Sequence, residues 1–218
     1  MVRGTFEIEL EDLKKEMVGL GKMVESSLSK IMTAIKENDN QKMDDIIVAD
    51  KNLNEIELEI NEKATLMIAK QQPVASDLRR IIVSLKISSD LERMGDLAVD
   101  MAKSAKRMKP TDTMIAYEEE LVDLASKAQH MLTDVLKAYK ELNVLDAQQI
   151  ATKDDEVDHA YGRFVSNLFN CAVSKKEDIQ QITQMAFIAR YIERIADYCT
   201  NIAEWIIYEV NGQRFDLN

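Results

Sequence analysis

Apolar residues recur at helical spacing along almost the whole chain. From Phe6 through Leu10, Leu13, Met17, Leu20, Val24, Leu28, Ile31 and Ile35 they form one unbroken i, i+3, i+4 stripe, which predicts a single long helix. Asn38-Asp39-Asn40 then supplies turn and N-cap chemistry. A second stripe runs through Met43, Ile46, Ile47, Leu53, Ile56, Ile60 and Leu66 and ends near Gln72-Pro73. Ser76 and Asp77 are placed to cap a third helix through Leu78, Ile81, Leu85, Leu91, Ala98 and Met101, which must stop before Pro110. The second half repeats the plan. Leu121, Leu124, Ala128, Leu132, Val135 and Leu142 mark a fourth helix, Asn143 a break, and Val157, Phe164, Leu168 and Phe169 a fifth. After a break at Ser174-Lys175-Lys176, a sixth runs through Ile182, Met185, Ile188, Ile192, Ile195, Ile202 and Ile206 to a C-cap pair at Asn211-Gly212.

The prediction is all-α, with six long helices in two tandem three-helix bundles. The first repeat is expected at residues 1–108 and the second at 114–218, joined by a linker at 109–113 around Pro110. An internal repeat supports this division. Glu92-Arg93-Met94-Gly95-Asp96-Leu97-Ala98 returns as Glu193-Arg194-Ile195-Ala196-Asp197-Tyr198-Cys199, and Asp50, Leu53 and Asn54 are echoed by Asp154, Val157 and Asp158. Composition agrees, because only six glycines and two prolines in 218 residues leave too few breakers for a strand-and-turn architecture.

Charge removes one class of function. With 28 Lys+Arg against 39 Asp+Glu the net charge is −11, and no local basic patch compensates, so nucleic acid is not an expected partner. Glu7, Glu9, Glu11 and Asp12 occupy the place where a secretory signal would carry basic residues and then an apolar run. No stretch is long and apolar enough to span a bilayer, so any membrane association is expected only through partners. Cys171 and Cys199 have no framework spacing and read as reduced thiols, which suits the cytoplasm.

The candidate chemistry lies in the repeated acidic motif. At about 100° and 1.5 Å per residue, Glu92, Asp96 and Asp100 fall within about 80° of one another over about 12 Å of helix. Glu193, Asp197 and Asn201 do the same on the sixth helix, with Glu204 returning to their line, and both stripes are expected to face away from the densest apolar arc. Carboxylates at this spacing repel, more so beside a second stripe from Asp50/Asn54 or Asp154/Asp158, and a hard cation relieves the repulsion. Oxygen ligands favour Mg²⁺, Ca²⁺, Mn²⁺ or iron. One D-x-x-x-D is ordinarily a solvated helix face. Its recurrence on two helices brings the metal reading level with the bland one. A ferritin-like di-iron site needs two Glu-x-x-His motifs, and only Glu156-Val157-Asp158-His159 is present. His159 and His130 therefore read as ordinary surface or packing residues. Phosphate loops, nucleophile elbows and zinc-protease motifs are absent from the sequence, so no catalytic residue is expected and the chain is not read as an enzyme. Arg79, Arg80, Arg93, Arg190 and Arg194 are weaker candidates for contact with an anion or a partner.

At these residues the sequence resembles the PhoU family of phosphate-specific transport system accessory proteins. The resemblance rests on Gln72-Pro73-Val74-Ala75-Ser76-Asp77-Leu78-Arg79, on Leu91-Glu92-Arg93-Met94-Gly95-Asp96, and on Ile192-Glu193-Arg194-Ile195-Ala196-Asp197 followed by Asn201-Ile202-Ala203-Glu204. It implies a cytoplasmic, non-enzymatic regulator, commonly a homodimer, linking a phosphate ABC transporter ATPase to a sensor histidine kinase and repressing the phosphate-starvation response when phosphate is plentiful. It also implies surface sites for multinuclear iron or another divalent metal (Mn, Mg or Zn). Glu92, Asp96, Asp100, Glu193, Asp197, Asn201, Asp50, Asn54, Asp154 and Asp158 are the implied ligands, with Asn54 and Asn201 standing where the family pattern has carboxylates. A metal-storage protein using the same stripe, and a plain helical dimer whose acidic face keeps it soluble, are the competing readings.

Overall fold

The computed structural model describes residues 2–108, 111–171 and 176–217. Among them are six helices and no strand: α1 (Val2–Glu37), α2 (Asn40–Gln71), α3 (Ala75–Ala105), α4 (Asp112–Glu141), α5 (Val144–Phe169) and α6 (Lys176–Asn211). Each repeat contributes three, as the periodicity predicted. Most of each predicted stripe is the buried face, whereas Leu66 near the end of α2 and Phe169 at the end of α5 are exposed. Leu13, Met17, Leu20, Val24 and Ile31 of α1 are buried, as are Ile81, Ile87, Leu91, Met94 and Ala98 of α3. On α6, Ile188, Ile192, Ile195, Cys199 and Ile202 are buried in turn. Each large apolar side chain sunk this way contributes on the order of 1.5–3 kcal/mol of transfer free energy.

The two repeats turn their first corner alike. α1 ends on Asn38 in the left-handed region (φ 50°), and the next residue, Asp39, accepts hydrogen bonds from the backbone N–H of Gln41 at 3.0 Å and Lys42 at 3.1 Å. α4 ends on Leu142 (φ 51°), and Asn143 accepts from Leu145 at 3.1 Å and Asp146 at 3.3 Å. In each case an Asx side chain satisfies orphan N–H donors of the following helix. The expected C-cap is also present: Gly212, at φ 74°, donates to the Tyr208 carbonyl at 2.9 Å.

Three boundaries differ from the sequence reading. α3 starts at Ala75 behind Val74, which makes no side-chain cap, so Ser76 and Asp77 lie inside the first turn. α4 begins at Asp112, within the stretch expected as linker, and α6 begins at Lys176, within the expected break. Lys109-Pro110 and Ser174-Lys175 lie outside the described residues.

The repeats are not separate balls. α3 packs along α6 in the most extensive helix pairing of the molecule, and α1 packs on α4. A polar cluster spans the same junction. Arg80 of α3 reaches Glu7 (3.5 Å) and Glu11 (3.7 Å) of α1 and Glu209 (3.9 Å) of α6. The buried Tyr139 hydroxyl of α4 meets the Ser84 hydroxyl at 3.4 Å. Burial raises the Glu209 carboxyl above its usual range, against the pull of Lys14, Arg80 and Arg79. No helix among the described residues is long and apolar enough to cross a membrane.

Candidate metal clusters

The periodicity that buries Ile192 and Ile195 places Glu193 and Asp197 one turn apart on the flank of α6 that meets α5. On α5, buried Val157 fixes the helix face, and its neighbour Asp158 emerges opposite them. Carboxylate oxygens of Asp158, Glu193 and Asp197 lie within 4.8 Å of one another. Asp158 is exposed, Asp197 half-buried, and Glu193 only 8% exposed.

Three acids so close cannot all ionise freely. Burial pushes the Glu193 carboxyl up to about 7, the charges of Asp197 and Asp158 push the same way, and Arg190 pulls against them. Arg190 donates a hydrogen bond to Glu193 Oε1, whereas the buried Oε2 has no hydrogen-bond partner in the protein. Asp197 is also raised, first by burial and then by Asp158, with Arg190 and Arg194 opposing. A buried carboxylate with one oxygen unpartnered, grouped with two further carboxylates, fits a divalent cation, which would supply the missing charge and accept oxygen ligands.

The corresponding surface of the first repeat gathers Glu92 and Asp96 from α3 with Asp50 and Glu57 from α2. Asp50 is raised by burial and by Asp96, while a hydrogen bond with Asn54 and the charge of Lys103 lower it. Glu92 is raised by burial and then by Asp96, Glu57 and Asp50. The helices approach closely here: a Cβ on Gly95 would stand 2.9 Å from Leu53 Cδ1 and 3.5 Å from Asp50 Oδ1. Among the described residues, however, the three-carboxylate grouping close enough to share one ion is that of the second repeat.

Asp100 points along its own helix to an ion pair with Lys103 at 3.2 Å. Asn54 is exposed. Asp154, one turn before Asp158, is 3% exposed and lies near Cys199, whose thiol is raised by burial and by the Asp154 charge. The expectation of wholly outward stripes is thus corrected: Glu193 and Asp154 are drawn into the α5–α6 interface by the helix twist. Glu204 leaves the acidic line too, accepting from the Leu217 backbone at 3.0 Å and pairing with Arg214 at 3.5 Å. Asn201 and Arg93 line a cleft between the repeats that Glu57 also borders. Arg79 lies against the Tyr208 ring at 5.8 Å, Arg80 belongs to the junction cluster, and Arg194 donates to the Tyr198 hydroxyl at 3.2 Å. His130 and His159 are exposed, and both cysteines are free.

Sequence reasoning passed over Glu57 and the part played by Arg190. Glu57 stands two turns beyond Asp50 on the same face, a signal available in the spacing. It has no acidic counterpart in the second repeat, where Tyr161 occupies the equivalent position.

The PhoU domain model matches this chain twice, over residues 17–105 and 121–206. The phosphate-specific transport system accessory protein PhoU homolog of Clostridium acetobutylicum is 38% identical over 222 residues, spanning 100% of both chains. The phosphate-specific transport system accessory protein PhoU of Escherichia coli is 36% identical over 217 residues, covering 98% of this chain and 88% of its own. The crystal structure of the phosphate transport system regulatory protein PhoU from Streptococcus pneumoniae superposes with a TM-score of 0.88 at 30% identity, over 97% of this chain and 99% of that one. The structure of PhoU from Pseudomonas aeruginosa gives 0.88 at 30% identity, over 95% and 100%.

Proposed function

The chain belongs to the PhoU family, and from that premise we propose that it is an accessory regulator of phosphate transport that acts by protein contact. The reading is carried by end-to-end similarity to relatives named as accessory proteins of the phosphate-specific transport system. In its finer form, the chain works in the cytoplasm, bridges a phosphate ABC transporter ATPase and a sensor histidine kinase, and restrains uptake and the starvation response when phosphate is abundant. Crosslinked pull-down from native cells grown in high and low phosphate tests it. Recovery of the transporter ATPase or the kinase, enriched in high phosphate, is the expected outcome. Recovery of neither, with expression and crosslinking controls sound, would falsify the adaptor.

We further propose that the two acidic clusters hold divalent metal or iron. Asp158, Glu193 and Asp197 are the ligands of the second repeat and Asp50, Glu92 and Asp96 those of the first. An ion bound there supplies positive charge that lets neighbouring carboxylates ionise together. The crowding of Asp158, Glu193 and Asp197 also favours, as a second reading, a protein whose main role is to hold metal. Elemental analysis of protein purified without chelators or a metal-affinity tag separates the two, combined with the phosphate response of a strain carrying Asp197→Ala. Metal lost with regulation intact supports storage, and regulation lost with metal supports a metal-dependent adaptor.

A further inference from the structure

Bordering the first acidic cluster, with which it shares Glu57, a cleft of about 570 Å³ lies between the repeats, lined by α2, α3 and α6. A chain of net charge −11 here turns three cations toward one space: Lys86 and Arg93 of α3, and Arg214 just beyond α6. Lys86 and Arg93 stand two turns apart on one helix face, so both side chains project the same way. Lys86 Nζ and Arg214 Cζ lie 6.0 Å and 4.9 Å from the centre of the Trp205 ring, and Arg93 lies at the Tyr198 hydroxyl.

Beneath them sits Asp90, which accepts a hydrogen bond from the Trp205 indole and feels Arg93, Lys86 and Arg214 together. Its Oδ2 is buried without a hydrogen-bond partner in the protein. Glu57 is a second acid on the wall, and its Oε1 accepts from Asn61. Arg214 pairs with Glu204 at 3.5 Å and lies over the Trp205 ring, and its side chain is largely exposed at the open side of the cleft. The cleft therefore offers cations at its mouth, a flat aromatic wall and one buried acceptor. An inorganic anion uses the first of these alone.

We propose that this cleft binds a small molecule of the nucleotide class. Lys86, Arg93 and Arg214 take its phosphate oxygens, its ring lies beside Trp205 and Tyr198, and Asp90 accepts from a ligand hydroxyl or amine. Arg and Lys at such a site make charge-assisted hydrogen bonds to phosphate, and the guanidinium groups add bidentate geometry. Lys86, Arg93, Arg214 and Asp90 are not among the metal ligands proposed above, although Glu57 of the first cluster lies on the same wall.

Trp205 is the one tryptophan of the chain, so intrinsic fluorescence reports on this cleft directly. The test is a titration of the full chain with ADP and, separately, with inorganic phosphate, excited on the red edge of the indole band where purines absorb little. A chelator keeps metal–nucleotide complexes off the acidic clusters. Saturable change with ADP, weakened at least about tenfold in Lys86→Ala and in Arg93→Ala with helicity unchanged, is the expected result. Both side chains are exposed, so neither variant threatens the fold. No saturable change with ADP would overturn the proposal. So would a response that survives both substitutions, or phosphate binding as tightly as ADP through the same side chains.

Discussion

The two acidic clusters occupy equivalent places on equivalent helices, yet they are different sites. In the second repeat Asp158 stands opposite Glu193 and Asp197 and completes a close set of three carboxylates. In the first its counterpart is Asn54, and the acids spread instead along α2 to Glu57, while Asp50 hydrogen-bonds to that asparagine. The counterpart of Arg190, which binds Glu193, is Ser89. Gly95, facing Leu53 across a short gap, is replaced by the buried Ala196. A repeat conserves the geometry of a site more readily than its charge: helix register holds the positions, and one side chain decides whether three oxygens converge. The second cluster is thus the tighter and more strained of the pair without metal.

The largest effect should come from the packing difference. Gly95→Val drives a branched side chain into Leu53 and is expected to cost about 2–3 kcal/mol, against about 1 kcal/mol for Ala196→Gly, which loses helix propensity. Urea unfolding of both variants checks this, and a tolerated Gly95→Val would show that the α2–α3 approach is as loose as its counterpart. Next in size is metal affinity. Asp158→Asn should weaken Mn²⁺ binding at the second cluster at least about tenfold, or about 1.4 kcal/mol, and Asn54→Asp should strengthen the first. Calorimetric titration reads both, and equal affinities of the two clusters in the unaltered protein would erase the distinction.

A smaller effect concerns protons. Glu193, held near 7, keeps its proton in the folded chain where an ordinary glutamate near 4.5 has released it. The metal-free protein should accordingly lose stability as pH rises through that interval. Glu193→Gln should flatten the loss and gain up to about 1 kcal/mol at high pH after allowance for solvent screening. Thermal melts at several pH values, with chelator present, would expose the opposite slope if the burial argument fails. Smallest of all, Asp96→Asn on the exposed first cluster should move stability by no more than about 0.5 kcal/mol.

Helix periodicity made most of the fold legible, because each long stripe from Leu13 to Ile31 or from Ile188 to Ile202 has only one economical way to bury itself. The Asx cap at Asp39 was readable for a similarly local reason, whereas Asn143 was legible only as a break and the structure shows it to be a cap as well. The start of α3 was not readable, since Val74 caps nothing through its side chain and Ser76 and Asp77 fall inside the first turn. Within the clusters, Glu92/Asp96 and Glu193/Asp197 followed from i, i+4 spacing. Which acids of α2 and α5 meet them depends on how two helices are rotated against each other. That rotation buries Asp154, leaves Asp158 at the mouth, and brings in Glu57. The Trp205 cleft had no linear signature at all, for its residues come from three helices and the C-terminal segment.

The α3–α6 seam has a consequence for anyone dividing the chain. Beside the Trp205 cleft, α3 and α6 cover each other along much of their length, so a fragment cut at the midpoint is left with a long bare flank. Such a half should either precipitate or join a second copy of itself, with α3 standing in for the missing α6. Sedimentation of residues 1–108 as a monodisperse, folded monomer would show instead that the seam is dispensable.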